Sequence, residues 1–199
     1  MGYNLTQINP AYELVANTVV GTATTSVTFS GLSFGKTDDL MLVSSMSNST
    51  ANEVRIFANG NTTATNYYTQ SVFANSTTVS GDRLNYPWYT YTYASSTPSI
   101  LSKIKLTNNG YIVFQNSQPY NTVSSIVLRE STITSIFTDS SITSLTVTHS
   151  SASGIGSGSR FQLYKRVAPV IFDYEVTGSA ITSLDITGLS IDKGSEYQL

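Results

Sequence analysis

The chain of 199 residues contains no cysteine. Disulfide frameworks and thiolate-based metal or redox centres are thereby excluded. Charge is scarce as well: Asp, Glu, Lys and Arg make up 11% of residues, under half the share of an ordinary soluble domain. The net charge is −2, and no basic run exceeds the pair Lys165–Arg166. Nucleic-acid binding needs several cations to neutralise phosphates, so that partner class is set aside. No apolar run approaches the roughly 20 residues of a membrane-spanning helix, so no membrane partner is expected. The opening "MGYNLTQINP" has neither the basic nor the apolar region of a secretory leader. The expectation is a protein made in the cytoplasm that reaches the outside, if it does, by a route other than secretion.

Hydroxyls fill the place of charges. Serine and threonine together form about 30% of the chain, far above the usual share, and threonine suits half-exposed positions of a sheet. Helical periodicity is hard to find, whereas alternation is widespread. Val27–Phe29, Leu40–Leu42, Val54–Ile56, Ile104–Leu106, Ile126–Leu128, Leu145–Val147 and Phe161–Leu163 each place apolar residues two apart, the period of a strand. Turn signals separate them: "SGLSFGKTDD", "FANGNTT", "VSGDR", "LTNNGY" and "SASGIGSGS". This pattern predicts an antiparallel all-β sandwich of eight or more strands with several long loops.

The chain also repeats itself. Residues 21–42, "GTATTSVTFSGLSFGKTDDLML", align without gaps on residues 178–199, "GSAITSLDITGLSIDKGSEYQL", with nine identities in 22 positions. The shared residues include Gly31/Gly188, Leu32/Leu189, Ser33/Ser190 and Lys36/Lys193. A spacing of 157 residues is too long for a solenoid and suits a whole domain. Residues 1–167 are therefore expected to form one complete domain. Residues 168–199 are expected to be a linker, around Ala168-Pro169, followed by the opening strands of a second, truncated copy. A lone hairpin is not independently stable, so those strands are expected to continue into a longer chain or to be donated to a neighbour.

Little in the sequence points to catalysis, and the chain is not expected to be an enzyme or to need a cofactor. The close acidic pair Asp38-Asp39 reads as a solvated turn ahead of a strand; calcium wants six or more oxygens. The only histidine, His149, ends the alternating run Leu145-Thr-Val-Thr-His149 and reads as a core-edge residue. "SGIGSGS" (Ser153–Ser159) precedes a strand-like segment rather than a helix, so it is a loop and not a phosphate cradle. The myristoylation-like Gly2/Thr6 spacing and the Asn-x-Ser/Thr triplets at Asn4, Asn48, Asn61 and Asn75 are chance matches in a chain so rich in hydroxyls.

The remaining candidate is "NYPWYTYTYAS", Asn85–Ser95, which holds the only tryptophan. As a regular strand it places Tyr89, Tyr91 and Tyr93 on one face and Trp88, Thr90 and Thr92 on the other. Tyrosine and tryptophan combine an apolar body with a polar tip. Three roles stay open for these residues: packing within the sheets first, contact with another subunit second, and a platform for host glycan third.

On these elements a likeness can be placed. "EVRIFANGNTTATNYYTQSV" and "SSITSLTVTHSSASGIGSGSRFQLYKR" resemble a β-sandwich domain of structural proteins of tailed bacteriophages, marine and cyanobacterial phages among them. The shared pattern is a "NG…T…YY" turn after a strand and a closing run. That run is Ile142-Thr143-Ser144-Leu145, a glycine-rich loop, then Gly158-Ser159-Arg160-Phe161-Gln162-Leu163-Tyr164. "TFSGLSFGKTDDLMLV" and "KIKLTNNGY" fit it too, so the likeness covers most of residues 8–166. It implies a jelly-roll module on the outer surface of a virion, without turnover, serving as capsid decoration, head fibre or tail fibre. The implied partners are other virion proteins, the major capsid protein or tail components, and further copies of the chain, a trimer being one option. A tail-fibre role would add host-surface carbohydrate as receptor.

Overall fold

The computed structural model describes residues 12–48, 50–75, 78–92, 97–121 and 126–167. The chain divides into two units, Met1–Ala168 and Pro169–Leu199; the second, with the expected repeat strands, lies outside the described residues. Twelve strands occur among the described residues: β1 (Tyr12–Val19), β2 (Ser26–Phe29), β3 (Asp39–Ser45), β4 (Asn52–Ala58), β5 (Tyr67–Asn75), β6 (Thr78–Leu84), β7 (Trp88–Thr92), β8 (Ser99–Leu106), β9 (Ile112–Asn121), β10 (Ile126–Ser135), β11 (Leu145–His149) and β12 (Arg160–Arg166). A single 3-10 turn, Ala64–Asn66, is the only helical piece among them. The architecture is all-β with two antiparallel sheets, as the alternation predicts.

The larger sheet has the order β1-β12-β3-β8-β9-β10-β5-β6, and the smaller has the order β2-β11-β4-β7. Alternation decides which side chains each sheet buries. In β8, Ile100, Ser102, Ile104 and Leu106 point inward while Leu101, Lys103 and Lys105 face solvent. Leu42, Phe114, Phe161 and Leu163 of the larger sheet join Val54, Ile56 and Val147 of the smaller in one apolar core. Full burial of each such side chain stabilises by about 1.5–3 kcal/mol.

Two hairpins distant in sequence make the larger sheet twice as wide as the smaller. The β9–β10 hairpin continues outward from β8, and the β5–β6 hairpin then pairs onto β10. A polar rung crosses the inner face here. Ser102 Oγ donates to Asn116 Oδ1 at 2.6 Å, and Asn116 Nδ2 donates to Ser131 Oγ at 3.1 Å; Ser131 lies opposite Ser71 of β5. A one-residue slip of any of these strands would turn the whole rung outward. The rung therefore helps to fix the register of the extension.

Asn59 and Gly60 make the turn after β4 with positive φ, 53° and 68°, a conformation that asparagine and glycine tolerate. The Asn59 side chain binds a second segment of the chain. Its Nδ2 donates to Asp139 Oδ2 (2.7 Å) and to the Ser141 carbonyl (2.8 Å), while Oδ1 accepts the N–H of Thr143 at 2.7 Å.

One expected turn is not a turn. "VSGDR" lies inside β6, where Gly81 stands opposite Val72. Only the loop of Gly and Asp in the letters suggested a break; the pairing with β5 overrides it. The core predicts its own test. Leu163→Ala should cost about 2–5 kcal/mol in denaturant unfolding, whereas Val79→Ala, at a side chain 70% exposed, should stay within about 0.5 kcal/mol.

Candidate binding face

Trp88 and Tyr89 are interior residues, 4% and 0% exposed. Of the three roles left open for them, packing within the sheets is the one that this burial fits. The guanidinium of Arg129, from β10, lies 3.6 Å from the centre of the Trp88 ring. Arg129 Nη2 also donates to Ser71 Oγ (2.8 Å) and pairs with Asp82 Oδ2 (3.3 Å). The Trp88 N–H donates to Thr69 Oγ1, whose hydroxyl donates to the Tyr86 carbonyl, so β5 clamps the entry to β7. Tyr89 crosses the core to a 3.0 Å hydrogen bond between its hydroxyl and Ser44 Oγ of β3. Burial pushes the Tyr89 phenol far above its ordinary range, only partly offset by Ser44.

A bulge breaks the expected tyrosine ladder. Between Val54 and Arg55 the register of β7 shifts, Thr90 facing Val54 and Trp88 facing Arg55, with Tyr89 as the extra residue. Tyr91 stands opposite Glu53 and stays half-buried. Tyr93 lies outside the described residues. Beside Tyr91, Glu53 receives the Tyr86 hydroxyl (2.8 Å) and pairs with Arg55 (3.1 Å). Burial, together with Glu53, pushes the Tyr86 phenol up to about 12.

The other motifs resolve into structural roles. His149 is 1% exposed: its Nδ1 accepts the N–H of Ser151, and Nε2 lies 3.0 Å from Thr92 Oγ1. These bonds assign the neutral ring's proton to Nε2. A Cβ on Gly154 would overlap the His149 ring, so the glycine in "SASGIG" admits the imidazole. Asp38 accepts the Gly35 N–H (2.8 Å) and pairs with Lys165 at 2.7 Å; Asp39 pairs with Lys105 at 3.3 Å and Arg166 at 3.8 Å. Burial would raise the Asp38 carboxyl, but the Lys165 and Gly35 hydrogen bonds and the Lys165 charge outweigh it, and the net shift is downward. Among the described residues no group of three or more His, Cys, Asp or Glu could hold a metal ion.

A concave feature among the described residues lies elsewhere, on the outer face of the larger sheet. A groove of about 790 Å³ crosses β8, β9, β10 and β5. Its floor is two cross-strand rungs: Lys103, Gln115, Thr132 and Gln70 in one, Leu101, Ser117, Glu130 and Val72 in the other. Ser117 Oγ donates to Glu130 Oε1 at 2.6 Å. On the same face Tyr68 precedes Gln70 by two residues and Arg83 stands opposite Gln70, its guanidinium 5.8 Å from the Tyr68 ring centre. The sequence carries the signal for this face in the outward half of each alternating run. Without strand order, however, nothing joins Lys103 to Gln70. No protein-family model matches the chain, and no curated protein matches it.

Two outcomes follow from these interior residues. Trp88→Ala should cost about 3–5 kcal/mol, and Tyr91→Ala distinctly less, by urea midpoint; equal small losses would contradict the packing. Burial holds the His149 imidazole below its ordinary value of 6.5. The unfolded chain then binds the proton more readily, so His149 stabilises fully above about pH 6.5 and progressively less as pH falls towards the lowered folded value. Melting temperature should therefore drop from pH 7 to 5, a decline that His149→Gln flattens.

Proposed function

We propose that the chain is a non-enzymatic structural protein of a tailed-bacteriophage virion, a capsid-surface decoration or head fibre that attaches through its β-sandwich. Strand order is the observation that carries this reading. With the two inserted hairpins left aside, β1, β2, β3, β4, β7, β8, β11 and β12 become strands one to eight. They lie one-eight-three-six in the larger sheet and two-seven-four-five in the smaller. We read this as the jelly roll, an eight-stranded pair of Greek keys used by viral capsid and lectin domains. Of the phage-like segments, "SSITSLTVTHSSASGIGSGSRFQLYKR" supplies β11, β12 and the loop between them, and "EVRIFANGNTTATNYYTQSV" runs from β4 into the inserted β5.

Residues 178–199 are read as the opening of a second copy, because their counterpart 21–42 carries β2 and the start of β3. Identical copies and other virion proteins are the partners of this reading. Few charges and many hydroxyls suit weak contacts with identical neighbours, which add up over a symmetric shell. The test is immunogold labelling of intact particles of the encoding phage, with antibody raised to residues 1–167. Gold over heads is the expected result. Gold confined to tails would move the protein to a tail-fibre role. Unlabelled particles that also lack the protein on immunoblots would overturn the virion reading.

A further inference from the structure

The groove on the outer face of the larger sheet has a chemistry that selects a class of ligand. Gln70, Gln115, Ser117 and Thr132 line it with neutral amides and hydroxyls, and its two charges, Lys103 and Glu130, cancel. An amide offers a donor and an acceptor side by side, and a hydroxyl can act as either. Such a lining matches vicinal hydroxyl groups, which present the same alternation. The core of a protein–protein interface is instead enriched in aromatic side chains, methionine and arginine, and the groove floor contains none of them. Four strands at sheet spacing make the floor about 14 Å across, the length of a short oligosaccharide.

Apolar surface is present where a sugar ring could use it. Leu101 and Val72, 38% and 54% exposed, lie at the two ends of one rung. Tyr68, 45% exposed, projects from β5 on the same face as Gln70 and Val72, two residues before Gln70. Arg83 stands opposite Gln70 and holds the ring from the β6 side. Beyond Val72 the rung ends at Gly81, which carries no side chain to close the groove.

We propose that this groove binds a neutral oligosaccharide, its hydroxyls held by Gln70, Gln115, Ser117 and Thr132 and a ring face resting on Tyr68. The inference goes beyond the particle reading and does not rest on it; gold labelling fails or succeeds without reference to any sugar.

The test uses the full chain on a glycan array carrying neutral and anionic oligosaccharides, followed by calorimetric titration with the strongest neutral binder. Gln115→Ala, Thr132→Val and Tyr68→Ala, all at solvent-facing strand positions, should keep the melting temperature within a few degrees. Each should weaken binding at least tenfold. No binding to any glycan would overturn the proposal, as would binding that survives all three substitutions. Binding confined to anionic glycans and abolished by Lys103→Met would overturn the ligand class. Loss of a protein partner rather than a glycan in Gln115→Ala would assign the groove to protein contact and overturn it equally.

Discussion

The seat of Arg129 on Trp88 holds the widened half of the molecule to the rest. The larger sheet runs four strands beyond β8, and those strands have little of the smaller sheet beneath them. They are tied to it at β7, whose tryptophan lies under the guanidinium of β10 at 3.6 Å, and at β4, whose Ala58 N–H donates to the Tyr67 hydroxyl of β5. A cation placed over a tryptophan face and withdrawn from water gains about 2 kcal/mol or more. The same guanidinium reaches Ser71 of β5 and Asp82 of β6, so one side chain fastens both hairpins to the smaller sheet. Removing the ring would open a cavity beneath a guanidinium that still pairs with Asp82 and donates to Ser71.

Around this point the interior is more polar than its apolar core suggests. Ser44, Ser102, Asn116, Ser131 and Thr92 are buried, and each has a hydrogen-bonding partner on another strand, Ser44 across the core. The hydroxyl-rich composition thus serves two sides of one sheet. Inside, short side chains satisfy each other across strands and set register; outside, similar side chains line a groove with little net charge. The scarce charges gather instead where β3, β8 and β12 meet, with Asp38 and Asp39 facing Lys165, Lys105 and Arg166. Exposed pairs of this kind contribute little each, but they match the strand ends to one another.

The all-β class, the placing of most strands and the loop character of "SASGIGSGS" could be read from the letters, because period-two burial is a local property. Three features could not. The bulge in β7 separates Tyr89 from Tyr91, and a bulge depends on the partner strand rather than on "WYTYT" itself. Strand β6 hides behind Gly81 and Asp82, which resemble turn residues until β5 is known to pair with them. The groove joins residues from Gln70 to Thr132 that only the sheet order makes neighbours. Trp88 stood out in the sequence with packing, subunit contact and glycan all open to it; its cation, 41 positions away, is what makes it an anchor.

The turn at Asn59-Gly60 carries a chemical consequence. Asparagine followed by glycine is the dipeptide most prone to spontaneous deamidation, in which the glycine nitrogen attacks the side-chain carbonyl and ammonia leaves. Here that side chain is engaged at both ends, by Asp139, Ser141 and Thr143, and must release them before it can cyclise. Ageing at this position is therefore gated by local opening of the turn. Isoaspartate at residue 59 would accumulate as a clock, recording how often this corner of the fold comes apart.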